Sequence, residues 1–296
     1  MSSEDIGKWR KAGKLARDAL NYGKTLIQKN SSMLDVTNKI EKFVIDNNGE
    51  LAFPTNLAVN NVGAHWTPSS KSKDVFENGD LVKLDVGVHI DGYIGDNALT
   101  VEIGSSKYSK MIEASREALN AAIEVAAPGV NAGMIGYAVQ DVIEGYGYRP
   151  IANLTGHGIK RYNLHSGVSI PSIRERGGAV LKSGDVIAIE PFATDGAGRV
   201  GGKRNSNIYH LRQVRKIRDE KATELMTEIQ NRYHGLPFAE RWLHGIQDDA
   251  TKNLQKLLRS GVVSYYPILD ELGKGMVTQA EHTVIISKDG VEVLTA

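Results

Sequence analysis

Two nine-residue segments, GDLVKLDVG at 79–87 and GDVIAIEPF at 184–192, carry one pattern 105 positions apart. Each opens on Gly-Asp, runs through alternating apolar residues and places an acid seventh, so that Asp85 falls on Glu190. A repeat of this kind marks one supersecondary unit used twice. Around each copy the chain reads helix, helix, loop, hairpin. The 296 residues are therefore expected to form a single α+β domain of two pseudo-symmetric αβ halves, about 1–106 and 107–296. Their strands are expected to join into one curved antiparallel sheet, with helices on the outside and carboxylates on the other face.

The first copy continues to residue 97 as GDLVKLDVGVHIDGYIGDN. Period-2 alternation puts Val82, Leu84, Val86 and Val88 on one face and Lys83, Asp85 and Gly87 on the other. Asp91-Gly92 supplies turn chemistry, and the chain returns from Tyr93 carrying Asp96. A turn centred on Ile90-Asp91 sets Asp85 opposite Asp96; a tight Asp91-Gly92 loop sets Asp96 opposite position 87, where a bulge would have to correct the pairing. In either register two acids share a face. Asp is unfavourable in strands and like charges repel, so a cation is expected between them.

Apolar periodicity and cap residues predict helices over 4–29, 33–47 and 107–127, and a fourth from an Asn131 cap to about Tyr146. In the second half the hairpin is interrupted. The second acid follows the first by 11 residues in the first half (85 to 96), whereas Glu281 follows Glu190 by 91. Much of the excess reads as helix, at 222–233, 238–246 and 250–261, and predicts an inserted helical, winged-helix-like subdomain over about 210–264. Its interleaved charges favour a lid or docking surface over a nucleic-acid site. Gly196, Gly198 and Gly201 match the spacing of a dinucleotide fingerprint, but no helix follows and the repeat places them in a hairpin turn.

The absence of cysteine excludes disulfides, thiolate metal sites and a cysteine nucleophile. A net charge of +1 gives no sign of a specific nucleic-acid or anionic-membrane partner. The polar start MSSEDIGKWRKAGK and the lack of a spanning apolar run are read as a cytoplasmic protein with no membrane association. Asp85, Asp96, His157, Glu190 and Glu281 remain as a set. Four acids on inward strand faces cannot stay buried unpaired, and divalent cations would neutralise them. Oxygen ligands with one imidazole suit Mn, Fe, Co or Zn. Two such ions ~3.5–4 Å apart activate a bridging water, chemistry suited to hydrolysis of an amide or phosphoester.

The stretches LAFPTNLAVNNVGAHWTP, KLDVGVHIDGYIGDNALTV, NLTGHGI, LHSG, IAIEPFATDG and QAEHTVII resemble those of type 2 methionine aminopeptidases, which have the pita-bread fold. The likeness spans nearly the whole chain; the insert marks type 2, and the short N-terminus resembles the archaeal members. It implies removal of an initiator methionine from nascent chains whose second residue is small, by a bridging hydroxide on two divalent metal ions (Co, Mn, Fe or Zn). By the same resemblance Asp85 would chelate one ion and His157 the other, Asp96 and Glu281 would bridge both, and Glu190 would bind the His157-side ion and help activate the water. His65 would contact the scissile amide and assist proton transfer, and His165 would contact substrate. Phe53, Leu164 and Tyr266 would line the methionine pocket. Ile208 falls where some members place a histidine and is given no role, while Asn60 and Asn61 are expected near the site. The fold implies a monomer, and the ribosome is a candidate partner. Two alternatives share the fold: an X-Pro peptidase, and a non-catalytic RNA- or ribosome-binding module.

Overall fold

The computed structural model describes residues 2–288 and 290–296. The first half opens with α1 (Ser3–Leu26) and α2 (Met33–Asp46). Ser2 caps α1 by accepting from Asp5 N, and Ser32 caps α2 by accepting from Asp35 N. Both helices end a residue or more before the predicted boundary. Short strands β1 (Glu50–Leu51), β2 (Asn56–Val59) and β3 (Val62–Ala64) lead into the long hairpin of β4 (Leu81–Ile90) and β5 (Tyr93–Glu102).

The hairpin closes through the tight Asp91-Gly92 loop, with φ of 50° and 83°, the left-handed pair such a turn needs. Its register pairs Gly87 with Asp96 and Asp85 with Ala98, unbroken from Leu81–Glu102 to Ile90–Tyr93. The expected bulge is therefore absent. It is not needed: Asp85 is two residues from Gly87, so it already shares a face with Asp96 as its diagonal neighbour.

The second half repeats the plan. It runs α3 (Ser109–Val125), α4 (Ala132–Gly145, capped by Asn131), β6 (Arg149–Pro150), β7 (Gly156–Ile159), β8 (Ser169–Ile170), β9 (Val186–Ile189) and β10 (Phe192–Thr194). The repeat holds at single hydrogen bonds. Gly79, at φ 90°, donates to Ile103 O at 2.7 Å, and Gly184, at φ 97°, donates to Ile286 O at 2.8 Å. Asp80 and Asp185 each accept a backbone N–H from three residues upstream, at 2.9 and 2.7 Å.

Next come β11 (Val200–Gly201), β12 (Asn205–Leu211), α5 (Glu220–Tyr233), β13 (Phe238–Ala239), a 3-10 helix (Glu240–Gly245), α6 (Ala250–Arg259) and β14 (Val263–Pro267). Residues 238–246, read from sequence as helix, thus begin as a strand that pairs Ala239 with Ile208 and continue as a 3-10 helix. The glycines at 196–201 link β10 to β11, which pair in different sheets, and not the two arms of one hairpin. The chain ends with β15 (Leu269–Glu271), β16 (Val277–Gln279), β17 (Glu281–Ser287) and β18 (Gly290–Val293).

The main sheet has nine strands ordered β1-β4-β5-β17-β9-β7-β8, with β18 on β17 and β2 on β4, all pairs antiparallel. The halves meet where β5 pairs with β17, through Glu281–Ala98 and His282–Asn97. One face of the sheet is apolar and covered by helices. Val82, Leu84, Val86 and Val88 pack with Ala16, Leu20, Ile40 and Val44 of α1 and α2; Ile187, Ile189, Val284 and Ile286 pack with α3 and α4. The insert has its own core around Leu225, Ile229, Phe238, Leu243, Leu254 and Leu257. No described helix is long and apolar enough to cross a membrane.

Candidate metal centre and substrate cavity

The face of the sheet turned away from the helices carries the acids. Ala98 separates two of them: across β4, β5 and β17 the row reads Asp85, Ala98, Glu281. A methyl group between two carboxylates leaves open space over the middle strand. Asp96 projects into that space two pairs along, opposite Gly87. Glu190 follows β9, beside Glu281, where Ala280 N donates to Pro191 O at 3.3 Å. His157 enters from β7, its Nε2 at 3.6 Å from both Asp96 Oδ2 and Glu190 Oε1.

These five residues line one cavity of about 320 Å³, together with Phe53, His65, Leu164, His165 and Tyr266. The structure thus brings all ten residues singled out from sequence to one place. Asn60 and Asn61 are not among the lining residues; Asn60 instead bonds Asp80 and the backbone of Leu81. Asn56 lines the cavity, as do Gln279, Pro237, Phe192 and Ile208. Gln279 opens the stretch QAEHTVII, two residues before Glu281, and its Nε2 donates to Glu281 Oε2 at 3.2 Å.

The cluster is electrostatically unsatisfied. Burial pushes the Asp85 carboxyl up to about 7. Asp96, Glu190 and Glu281 rise well above the usual range, through burial first and then through one another's charge. No described lysine or arginine pairs with any of the four. Asp85 Oδ1, Asp96 Oδ1 and His157 Nδ1 are buried without a hydrogen-bond partner. Asp96, His157 and Glu281 each offer a ligand atom, all within 4.8 Å of one another. Orphaned acceptors, crowded like charges and an imidazole that burial drives down to about 3, hence neutral, together fit divalent cations.

The rest of the cavity is shaped for a side chain. His65 holds φ 60°, a strained conformation for a non-glycine residue, and its Nδ1 faces Pro267 O at 3.3 Å. A carbonyl can only accept, so the proton sits on Nδ1 and Nε2 is left bare. The His65 ring lies 5.2 Å from Tyr266, and His165 lies 4.4 Å from His157. Phe53 occupies the place of the missing side chain at Gly87, where an added Cβ would come within 2.1 Å of its ring. Pro237, before β13, and Tyr266, at the end of β14, bring the insert into the wall.

The sequence matches the model of metallopeptidase family M24 over residues 7–288. It is 44% identical over 294 residues to a methionine aminopeptidase of Pyrococcus horikoshii, covering 98% of this chain and 99% of that protein. The structure superposes on a methionine aminopeptidase from Rickettsia prowazekii with TM-score 0.72 and 25% identity, over 100% of this chain and 98% of the other. It also superposes on a thermophilic Arx1 with TM-score 0.87, over 99% and 91% of the two chains; at 17% identity this likeness speaks to the fold alone.

Proposed function

The chain belongs to metallopeptidase family M24, and we propose that it acts as a methionine aminopeptidase on the N-termini of nascent polypeptides whose second residue is small. The observation that carries this reading is the shared cavity: five ligand-type side chains from both halves at one end, and an apolar pocket with two neutral histidines beside them. Asp85, Asp96, His157, Glu190 and Glu281 would hold two divalent ions, with Co, Mn, Fe and Zn all compatible with the donor set. When bound, such ions polarise the scissile carbonyl and lower the pKa of water towards ~7, supplying a nucleophile at neutral pH.

The remaining roles fall to the protein. Glu190 takes the proton of the attacking water and passes it towards the leaving nitrogen. His65, neutral because burial lowers it to about 4, accepts a hydrogen bond at Nε2 from the scissile N–H and guides that transfer. His165, also lowered by burial, orients the substrate beside His157. Phe53, Leu164 and Tyr266 surround the methionine side chain and select it by size and shape. The inserted region of about 210–264 supplies one wall, and the protein works as a monomer in the cytoplasm, with the ribosome as the site where its substrates emerge.

The test is methionine release from Met-Ala-Ser after metal-free protein is reloaded with Mn, Co, Fe or Zn in turn. Release with at least one metal, and little from Leu-Ala-Ser, is the expected result. Inertness with every metal would sink the reading, and faster turnover of Ala-Pro than of Met-Pro would replace it with an X-Pro peptidase.

A further inference from the structure

Outside the set of five, a buried carboxylate ties the insert to the first half. Glu41 lies on the inward side of α2, 7% exposed. Its Oε1 pairs with Arg241 Nη2 and accepts from Thr55 N at 3.2 Å, while Oε2 accepts from Trp242 Nε1 at 2.8 Å. Arg241 then reaches past Glu41: its Nη1 donates to Thr67 Oγ1 at 3.0 Å and to Pro68 O at 3.1 Å. The Thr67 hydroxyl closes the ring by donating to Thr55 O at 2.8 Å.

Each end of this cluster leads directly to a cavity wall. Thr55 sits between Phe53 and Asn56, and Thr67 follows His65 by two residues; all three neighbours line the cavity. On the insert side, Arg241 and Trp242 belong to the 3-10 helix that continues β13. β13 is preceded by the cavity residue Pro237 and pairs Ala239 with the cavity residue Ile208. β12, which carries Ile208, pairs in turn with β14, which carries Tyr266. One part of the lining therefore hangs from Thr55 and Thr67 and the adjoining part from Arg241 and Trp242; Glu41 ties the two, beside the direct bond from Thr67 N to Ser206 O at 3.2 Å.

We propose that Glu41 and Arg241 are positioning residues that set the width of the methionine pocket by fixing the insert against the segment 53–65, which carries Phe53, Asn56 and His65. This rests on the aminopeptidase reading of the cavity. An apolar contact between insert and α2 would bury similar area but would allow the surfaces to slide. A planar guanidinium held at a carboxylate, a hydroxyl and a carbonyl fixes both distance and angle. Glu41 and Arg241 touch none of the five ligand-type residues, so the device bears on substrate fit and not on metal holding.

The experiment compares wild type with Glu41→Gln, Arg241→Met and the double variant Glu41→Met/Arg241→Met, all loaded with the metal that best supports the wild type. The double variant leaves no lone buried charge and keeps the proposal testable if the single variants fold poorly. The readouts are kcat and KM on Met-Ala-Ser, the preference for Met-Ala-Ser over Leu-Ala-Ser, bound metal per chain, and the emission of Trp242 read against a Trp242→Phe control. The expected result is a KM raised roughly tenfold and a Met-over-Leu preference narrowed roughly tenfold, within what an apolar pocket can discriminate. kcat should stay within about twofold, metal content should be unchanged, and Trp242 emission should shift. Folded variants with wild-type KM and preference would overturn the proposal. So would an equal fall of kcat and metal content at constant KM, which would make Glu41 a support of the metal ligands. A wild type inert with every metal would overturn the aminopeptidase reading itself.

Discussion

His157 Nε2 lies 3.6 Å from Asp96 Oδ2 although three strand steps, β5 to β17 to β9 to β7, separate the strands that carry them. At ~4.8 Å per step a flat sheet would hold those backbones roughly 14 Å apart, beyond easy reach of an aspartate and a histidine. The sheet must curl over its acidic face, and the curl joins residues of the first half to residues of the second.

A candidate ligand set that spans both halves would couple metal binding to the stability of the whole domain. Mn or Co at about 100 times its dissociation constant should stabilise the fold by ~2.7 kcal/mol. Calorimetry should show a melting temperature several degrees higher than in chelator, with a single transition. An identical melting temperature with and without metal would mean that the ions do not bridge the halves.

Without metal, the acids should make the protein less stable as pH rises. Asp85, ordinarily near 3.8, is raised to about 7 by burial, and Asp96, Glu190 and Glu281 are raised well above their usual range. A raised carboxyl keeps its proton in the folded state after the unfolded chain has lost it, so rising pH favours unfolding through that window. The buried histidines act in the opposite sense: His157, ordinarily near 6.5, is lowered to about 3 and His65 to about 4, so falling pH favours unfolding below 6.5. Above 6.5 the carboxylates dominate. The melting temperature of chelated protein should therefore fall from pH 6.5 to 8.5, and metal should abolish that slope, since the ligands bind deprotonated. A flat profile for the chelated protein would contradict the crowding of charge among Asp85, Asp96, Glu190 and Glu281.

Gly87→Ala tests how tightly the pocket is built. The added methyl would lie 2.1 Å from Phe53 Cε1 and 2.5 Å from Cδ1, inside a ring only 6% exposed. Overpacking of this kind costs ~1–3 kcal/mol. The displaced ring should also raise KM for methionyl peptides more than it lowers kcat. Phe53→Leu in the same background should recover stability, and a double-mutant cycle on melting temperature and KM measures the coupling. Additive effects would show that the ring does not fill the space over Gly87.

Much of this arrangement was legible because it is local or repeated. The Gly-Asp pairs that open the two repeats, the alternation along 81–88 and the Asn131 cap each announce themselves within a few residues, and the 105-residue offset links the two copies. The hairpin register was less accessible. Asp85 and Asp96 share a face whether the turn centres on 90–91 or on 91–92, so the pattern alone could not tell direct opposition from the diagonal pairing that formed. The offset also misled slightly. Asp85 pairs with Ala98, whereas Glu190 lies beside Glu281, so Glu281 answers to Ala98 and not to Asp96. The longer glutamate makes up the two-residue displacement. The clasp of Glu41, Thr55, Thr67 and Arg241 had no sequence signature, since it joins residues up to 200 apart through contacts that follow no period. The strand at 238–239 was hidden for a related reason: its pairing with β12 overrides a helix-like pattern of apolar residues.

The two kinds of residue in the cavity should separate cleanly by mutation. Glu281 is 2% exposed, accepts from Gln279 and lies within 4.8 Å of candidate ligand atoms of Asp96 and His157. Residues that only support a ligand typically cost ~10–100-fold in metal affinity or activity, so Glu281→Ala should cost more than that in both. It should also raise the melting temperature of the chelated protein, because one buried acid among four is gone. His65 approaches the cavity from the opposite wall, anchored at Pro267 and Tyr266. His65→Ala should bind metal as the wild type does, keep its response to metal in calorimetry, and lose ~100- to 10,000-fold in kcat, the range expected when a proton-transfer group is removed. Titration calorimetry with Mn and steady-state kinetics on Met-Ala-Ser, run on both variants, make the comparison. Loss of metal by His65→Ala, or full activity in Glu281→Ala, would reverse the assignment of the two walls.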